Sequence, residues 1–145
     1  GFTTEELMLS TVGVNESVLR QLARSAQAQL DRHDLVCVHV DLAVYAALTG
    51  SATAKVHAIE ALDSLVFTPI LESLRGYDQW RMLVVPSFST SCGSRRVLSA
   101  PSPFVLAGER VEVILHQPFT ELAAASADMH VEHGQELMEY FLKVH

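Results

Sequence analysis

Leu35-Val36-Cys37-Val38-His39-Val40 is the stretch on which the fold turns. It is nearly continuous in apolar and β-branched residues, too short for a helix of ordinary length. A run of this kind suits a strand covered on both faces, as in a parallel sheet. Cys37 then reads as a small buried hydrophobe. His39, closing the run, reads as a hydrogen-bonded core residue.

Upstream of that run the period changes to three and four. Val18, Leu19, Leu22, Ala23, Ala26 and Leu30 recur on one face, with Arg20, Gln21, Arg24 and Gln27 on the other. The pattern predicts an amphipathic helix, with Asn15 as N-cap and Ser17 as a second candidate. Residues 1–14 show no period and read as a lead-in segment. The chain begins at Gly1, which suggests a piece cut from a longer protein or the scar of a tag.

Downstream, a long helix starts near Ser51 and Thr53, with Val56, Ile59, Leu62, Val66, Ile70 and Leu74 as its apolar stripe. Pro69 cannot donate a backbone hydrogen bond, so a kink or break is expected there. Gly76 is the expected stop. Trp80–Val85 predicts a second buried strand and Phe104–Ala107 a third. Val111, Val113 and Leu115 alternate like an edge strand, and a last helix runs from Gln135 to Lys143 with Leu137, Met138, Phe141 and Leu142 inward. Strands separated by helices and short connections predict a layered α/β fold with a mainly parallel sheet, residues 15–145 forming a single domain.

Composition narrows the functional classes. The chain has 145 residues, 49% hydrophobic and 19% charged, the balance of a globular domain. No stretch reaches the ~18 consecutive apolar residues of a membrane-spanning helix, so no membrane partner is expected. Ten Lys and Arg stand against seventeen Asp and Glu, a formal charge of −7. A duplex-binding face is basic, and Arg95 with Arg96 is too small a cluster, so nucleic acid is not an expected partner. Two cysteines fit a reducing compartment, with the cytoplasm as the expected location.

In a parallel sheet, ligands bind beyond the carboxyl ends of the strands. Two loops are expected there, Asp41–Gly50 and Pro86–Ser99. The first is apolar apart from Asp41. The second holds hydroxyls and a thiol but neither acid nor histidine. Ser89, Thr90 and Ser91 with Arg95 and Arg96 form the candidate ligand site, suited to an anion such as phosphate without a metal; the alternative is a polar loop beside a solvated arginine pair. Cys92 near Arg95 reads either as an activated thiolate or as a plain loop cysteine. His130 and His133 offer two metal donors, too few to close a site, and otherwise read as solvated. No catalytic residue, metal ligand or cofactor is assigned.

From Val18 onward a family resemblance emerges. It is carried by Asp34-Leu-Val-Cys-Val-His-Val40, Lys55-Val-His-Ala-Ile-Glu-Ala-Leu-Asp63, Pro69-Ile-Leu71, Leu83-Val-Val-Pro86, Ser89-Thr-Ser-Cys92, Pro101-Ser-Pro-Phe104 and Gly134-Gln-Glu-Leu-Met138. In order and spacing these resemble the C-terminal part of archaeal-type, cofactor-independent (2,3-bisphosphoglycerate-independent) phosphoglycerate mutases. The resemblance implies an alkaline-phosphatase-like fold and a two-metal phosphotransfer site. It also places the family's metal-holding Asp and His after the first strand on Val44 and Leu48. The Asp-His pair after the second falls on Ser87 and Phe88, and a later His on Val97. The nucleophilic serine and its neighbouring Asp belong to the family's N-terminal half. Lys55 matches a family lysine, or is a solvated charge at a helix start.

The expectation is a degenerate, non-catalytic, mutase-like domain acting as an interaction or regulatory module through a protein partner or self-association. Two alternatives stand beside it: a fragment of a phosphotransferase whose other half carries the nucleophile, and a metal-free binder of small anions. The apolar cluster Leu42, Val44, Tyr45 and Leu48 either fills the space left by the metals or forms a patch that a partner covers.

Overall fold

A computed structural model describes residues 14–111 and 118–143. These fall into two compact units: residues 14–76 with 90–97, and residues 77–89 with 98–111 and 118–143.

The first unit is helical. Helix α1 (Glu16–Leu30) starts at Asn15, whose side chain accepts from the Val18 amide. Ser17 instead donates its hydroxyl to the Asn15 side chain at 3.0 Å, which orients the cap. Leu19, Ala23 and Ala26 form the buried stripe, a four-then-three spacing that keeps them on one face. After α1 come α2 (Leu42–Leu48), α3 (Ala52–Leu62), a π-helical turn (Asp63–Phe67) and α4 (Thr68–Leu74). Ser51 caps α3 by accepting from the Ala54 amide. α1 packs on α3, the π turn and α4, and α2 packs on α3.

The expected interruption at Pro69 is present: regular α-helix stops at Leu62 and resumes at Thr68, one residue before the proline. The chain passes into the wider π turn, where the Thr68 amide bonds to the Asp63 carbonyl, and Pro69 follows inside α4. The extra residue per turn absorbs the missing donor and the ring. The Pro69 carbonyl accepts from Gln27 Nε2 at 2.9 Å, tying α4 to α1. Gln27→Ala removes that donor from a half-buried carbonyl and is expected to cost about 1 kcal/mol, read as a lower urea midpoint. The expected stripe is buried only in its second half. Leu62, Val66, Ile70 and Leu74 are in the core, whereas Val56 and Ile59 are exposed.

Three further expectations are corrected in this unit. Asp41–Gly50 is not a loop but contains α2. Leu35–Val40 runs as irregular chain and joins no sheet among the described residues. Cys37 and His39 are exposed, not buried, while Val36, Val38 and Val40 are half-buried. The β-branched residues keep the segment from coiling into a helix, but a strand also needs a neighbour to bond with, and composition cannot supply one.

In the second unit β1 (Arg81–Val84) pairs antiparallel with β4 (Val105–Gly108), Arg81 opposite Gly108 and Val84 opposite Val105. The second and third expected strands are therefore present with nearly the expected bounds, but β1 is half-buried along its length and β4 alternates exposed and half-buried, so neither is the buried strand expected. Pairing differs as well: the described sheets are small, β1 with β4 and the hairpin β2 (Ser89–Ser91) with β3 (Arg96–Leu98), so the fold is mixed α/β. The expected edge strand over Val111, Val113 and Leu115 lies almost wholly outside the described residues. Helices α5 (Glu121–Ala125) and α6 (Gly134–Lys143) complete the unit. Arg81 Nη1 donates to the Phe141 carbonyl, fastening the end of α6 to β1. On α6 Leu137 is buried and Phe141 half-buried, whereas Met138 and Leu142 are exposed. Among the described residues no helix is long and apolar enough to cross a membrane.

Candidate functional site

The candidate residues converge in part. In the first unit, Lys55, on the first turns of α3, reaches Thr90 of the hairpin. Its ammonium donates to the Thr90 carbonyl at 2.7 Å and to Thr90 Oγ1 at 3.1 Å. Ser91 Oγ accepts from the Ser94 amide at 3.1 Å, closing the turn between β2 and β3. Arg95 sits in that turn with φ at 54°, a left-handed backbone uncommon for a side-chain-bearing residue. Its guanidinium lies against Gly50: a Cβ built there would stand 2.6 Å from Arg95 Nε. Gly50 itself has φ +85°, so hydrogen is demanded there both by backbone conformation and by the guanidinium.

Thr90, Ser91 and Arg95 thus share the β2–β3 hairpin, with Lys55 of α3 and Gly50, just ahead of the α3 cap, beside it. Ser89 is not part of that arrangement. Its hydroxyl donates to the Pro101 carbonyl at 3.5 Å in the second unit. Arg96 is exposed on β3. Lys55 was legible only as a match to a family lysine; nothing local in the sequence ties it to Thr90, thirty-five positions away. Two cations near one hydroxyl-rich turn can hold an anion by charge-assisted bonds. Gly50→Val is expected to displace the Arg95 guanidinium and to lower thermal stability, checked by calorimetric melting of variant and parent.

The positions at which a metal site would have to be built carry other chemistry. Val44 and Leu48 both lie on α2, four apart and so on one face. Val97 is exposed on β3, and Ser87 and Phe88 are exposed in the second unit. Four of these five side chains are hydrocarbon and have no lone pair to give a divalent cation. Among the described residues no three His, Cys, Asp or Glu side chains come together. His130 and His133 are both exposed. The residues present do not fit a two-metal centre.

Comparison with known proteins agrees with the resemblance in the sequence. A probable 2,3-bisphosphoglycerate-independent phosphoglycerate mutase of Geobacter sulfurreducens is 34% identical over 119 residues, 81% of this chain and 30% of that protein. The 2,3-bisphosphoglycerate-independent phosphoglycerate mutase of Methanothrix thermoacetophila is 31% identical over 120 residues, 82% of this chain and 31% of the relative. This chain is similar to one part of such a mutase. A third relative, 2,3-bisphosphoglycerate-independent phosphoglycerate mutase 2 of Methanothermobacter thermautotrophicus, is 27% identical over 130 residues, 90% of this chain and 32% of its own length. The chain therefore spans under a third of the length of the curated relatives it matches. No family profile matches the chain, and no solved structure does.

Proposed function

We propose that this chain is a phosphoglycerate mutase-like module without the metal chemistry of that family, serving in association with a protein partner. The observation that carries this reading is the set of side chains at the five metal-ligand positions: Val44, Leu48, Ser87, Phe88 and Val97. A phosphoryl transfer that relies on two cations loses its main charge stabilisation when neither can be held. The identities of 34% and 31% to mutases support common descent; the substituted ligands support loss of the reaction. Mutase and phosphatase turnover assayed with added manganese should stay at the no-protein rate. Metal-dependent turnover above that rate removes the reading.

A second reading is favoured by the Lys55–Thr90 contact and the seating of Arg95 on Gly50. The first sets an ammonium beside the Thr90 hydroxyl and the second fixes a guanidinium of the same hairpin against Gly50, and a small phosphorylated acid such as phosphoglycerate is the ligand whose charge and oxygen count fit. Calorimetric titration with 3-phosphoglycerate should release heat in the parent chain. Lys55→Ala and Arg95→Ala should each weaken binding by about tenfold, the worth of one charge-assisted hydrogen bond. Heat unchanged in both variants removes the turn from consideration.

A further inference from the structure

Residues 90–97 of the β2–β3 hairpin pack with residues 14–76, yet the chain enters them from Ser89 and leaves at Leu98, both in the second unit. No backbone of the helical unit runs into the hairpin, so its seat there depends on non-covalent contacts. Within itself the hairpin is closed: β2 pairs with β3, and Ser91 Oγ accepts from the Ser94 amide across the turn. Two described contacts mark the docked position. Lys55 donates to the carbonyl and the hydroxyl of Thr90, and the Arg95 guanidinium rests against Gly50. Residues 93–97 are exposed, so little of the turn is buried to oppose release.

We propose that the hairpin is an anion-dependent clasp: a small phosphorylated acid locks residues 90–97 onto the start of α3, and its loss releases them as one piece. This rests on the second reading above, that these residues bind such an acid, and adds a regulatory consequence to it. The donors are divided between two bodies, Lys55 on α3 and Thr90 with Arg95 on the hairpin. An anion that draws on both is bound only while the hairpin is docked. A ligand selective for one of two states stabilises that state. Docking and binding are compatible at Lys55. The ammonium has three donors and gives two to Thr90, which leaves one for the ligand with the docked contacts intact. The Arg95 guanidinium adds a planar fork of donors suited to phosphate.

The test is hydrogen exchange of the full chain, with and without 3-phosphoglycerate at about ten times the Kd found by calorimetry. At that concentration the released hairpin becomes about tenfold rarer, so exchange at residues 90–97 should slow about tenfold. Exchange in α6, which supplies no donor, should stay as it was. Potassium chloride at the same ionic strength should not slow residues 90–97, because salt screens the charges involved. Lys55→Met should speed exchange there without ligand and abolish the response to it. Heat of binding with exchange at 90–97 unchanged would overturn the clasp and leave the binding reading standing. Slowing that persists in Lys55→Met, or that potassium chloride reproduces, would overturn the clasp as well. Absence of heat would overturn both.

Discussion

Leu19→Ala should destabilise the first unit by about 3 kcal/mol, within the range found for fully buried leucines. Leu19 has no exposed surface and sits on the face of α1 that packs on α3, the π turn and α4. Truncation removes the transfer energy of the lost carbons and leaves a void in the core of this unit, where Val66 of the π turn is also fully buried. Urea denaturation should show a lower midpoint at unchanged slope. A loss under 1 kcal/mol would mean that α1 is not held to the rest of the unit as described.

The second large effect belongs to Gly108, at the end of β4. Its φ is +128°, and a Cβ there would stand 2.7 Å from the Arg81 Cα and 3.0 Å from the Trp80 carbonyl carbon. Both are backbone atoms, so no side chain can swing away to relieve the overlap. Gly108→Ala should therefore force β1 and β4 apart at the Arg81 register and cost the second unit about 3 kcal/mol, combining conformational strain with overpacking. Trp80, the single tryptophan of the chain, lies at this point. Its emission should shift to the red at lower denaturant than in the parent. Gly134→Ala is the control, because a Cβ there meets nothing within 4 Å. Equal stability of the two variants would contradict the described register.

Helix α1 was legible because its signals agree: a side-chain cap at Asn15 and an apolar stripe at helical spacing above a polar face. The strands β1 and β4 were legible as strands, since β-branched runs bounded by turn residues mark extended chain. Their partners were not. Whether two runs pair with each other, and in which direction, depends on contacts between distant residues and leaves no local trace. The same limit explains Leu35–Val40, whose composition asks for a sheet that the described residues do not place around it. Helix α2 was misread for a different reason. Leu42-Ala-Val-Tyr-Ala-Ala-Leu48 is apolar all round and shows no polar face, and a loop was expected at the end of a strand. Asp41 before it, and Thr49-Gly50 after it, were the overlooked boundary signals.

At the candidate site, chemistry was legible and geometry was not. Thr90, Ser91 and Arg95 could be selected because hydroxyls and a cation in a Gly-containing loop suit an anion. Ser89 and Arg96 qualified on the same composition, yet one turns to Pro101 and the other to the surface. Strand alternation alone would put Ser89 with Ser91 and apart from Thr90; what sorts them is the partner each meets, Pro101, Ser94 or Lys55, and those partners come from the fold. Lys55 joins the site only through the fold.

The most direct measurement is equilibrium dialysis of the chain against manganese and zinc, with bound metal counted by mass spectrometry. With hydrocarbon at Val44, Leu48, Phe88 and Val97, bound metal should stay well below one ion per chain. One or more ions per chain, lost on substituting Ser87 or residues beside Val44 and Val97, would contradict the account.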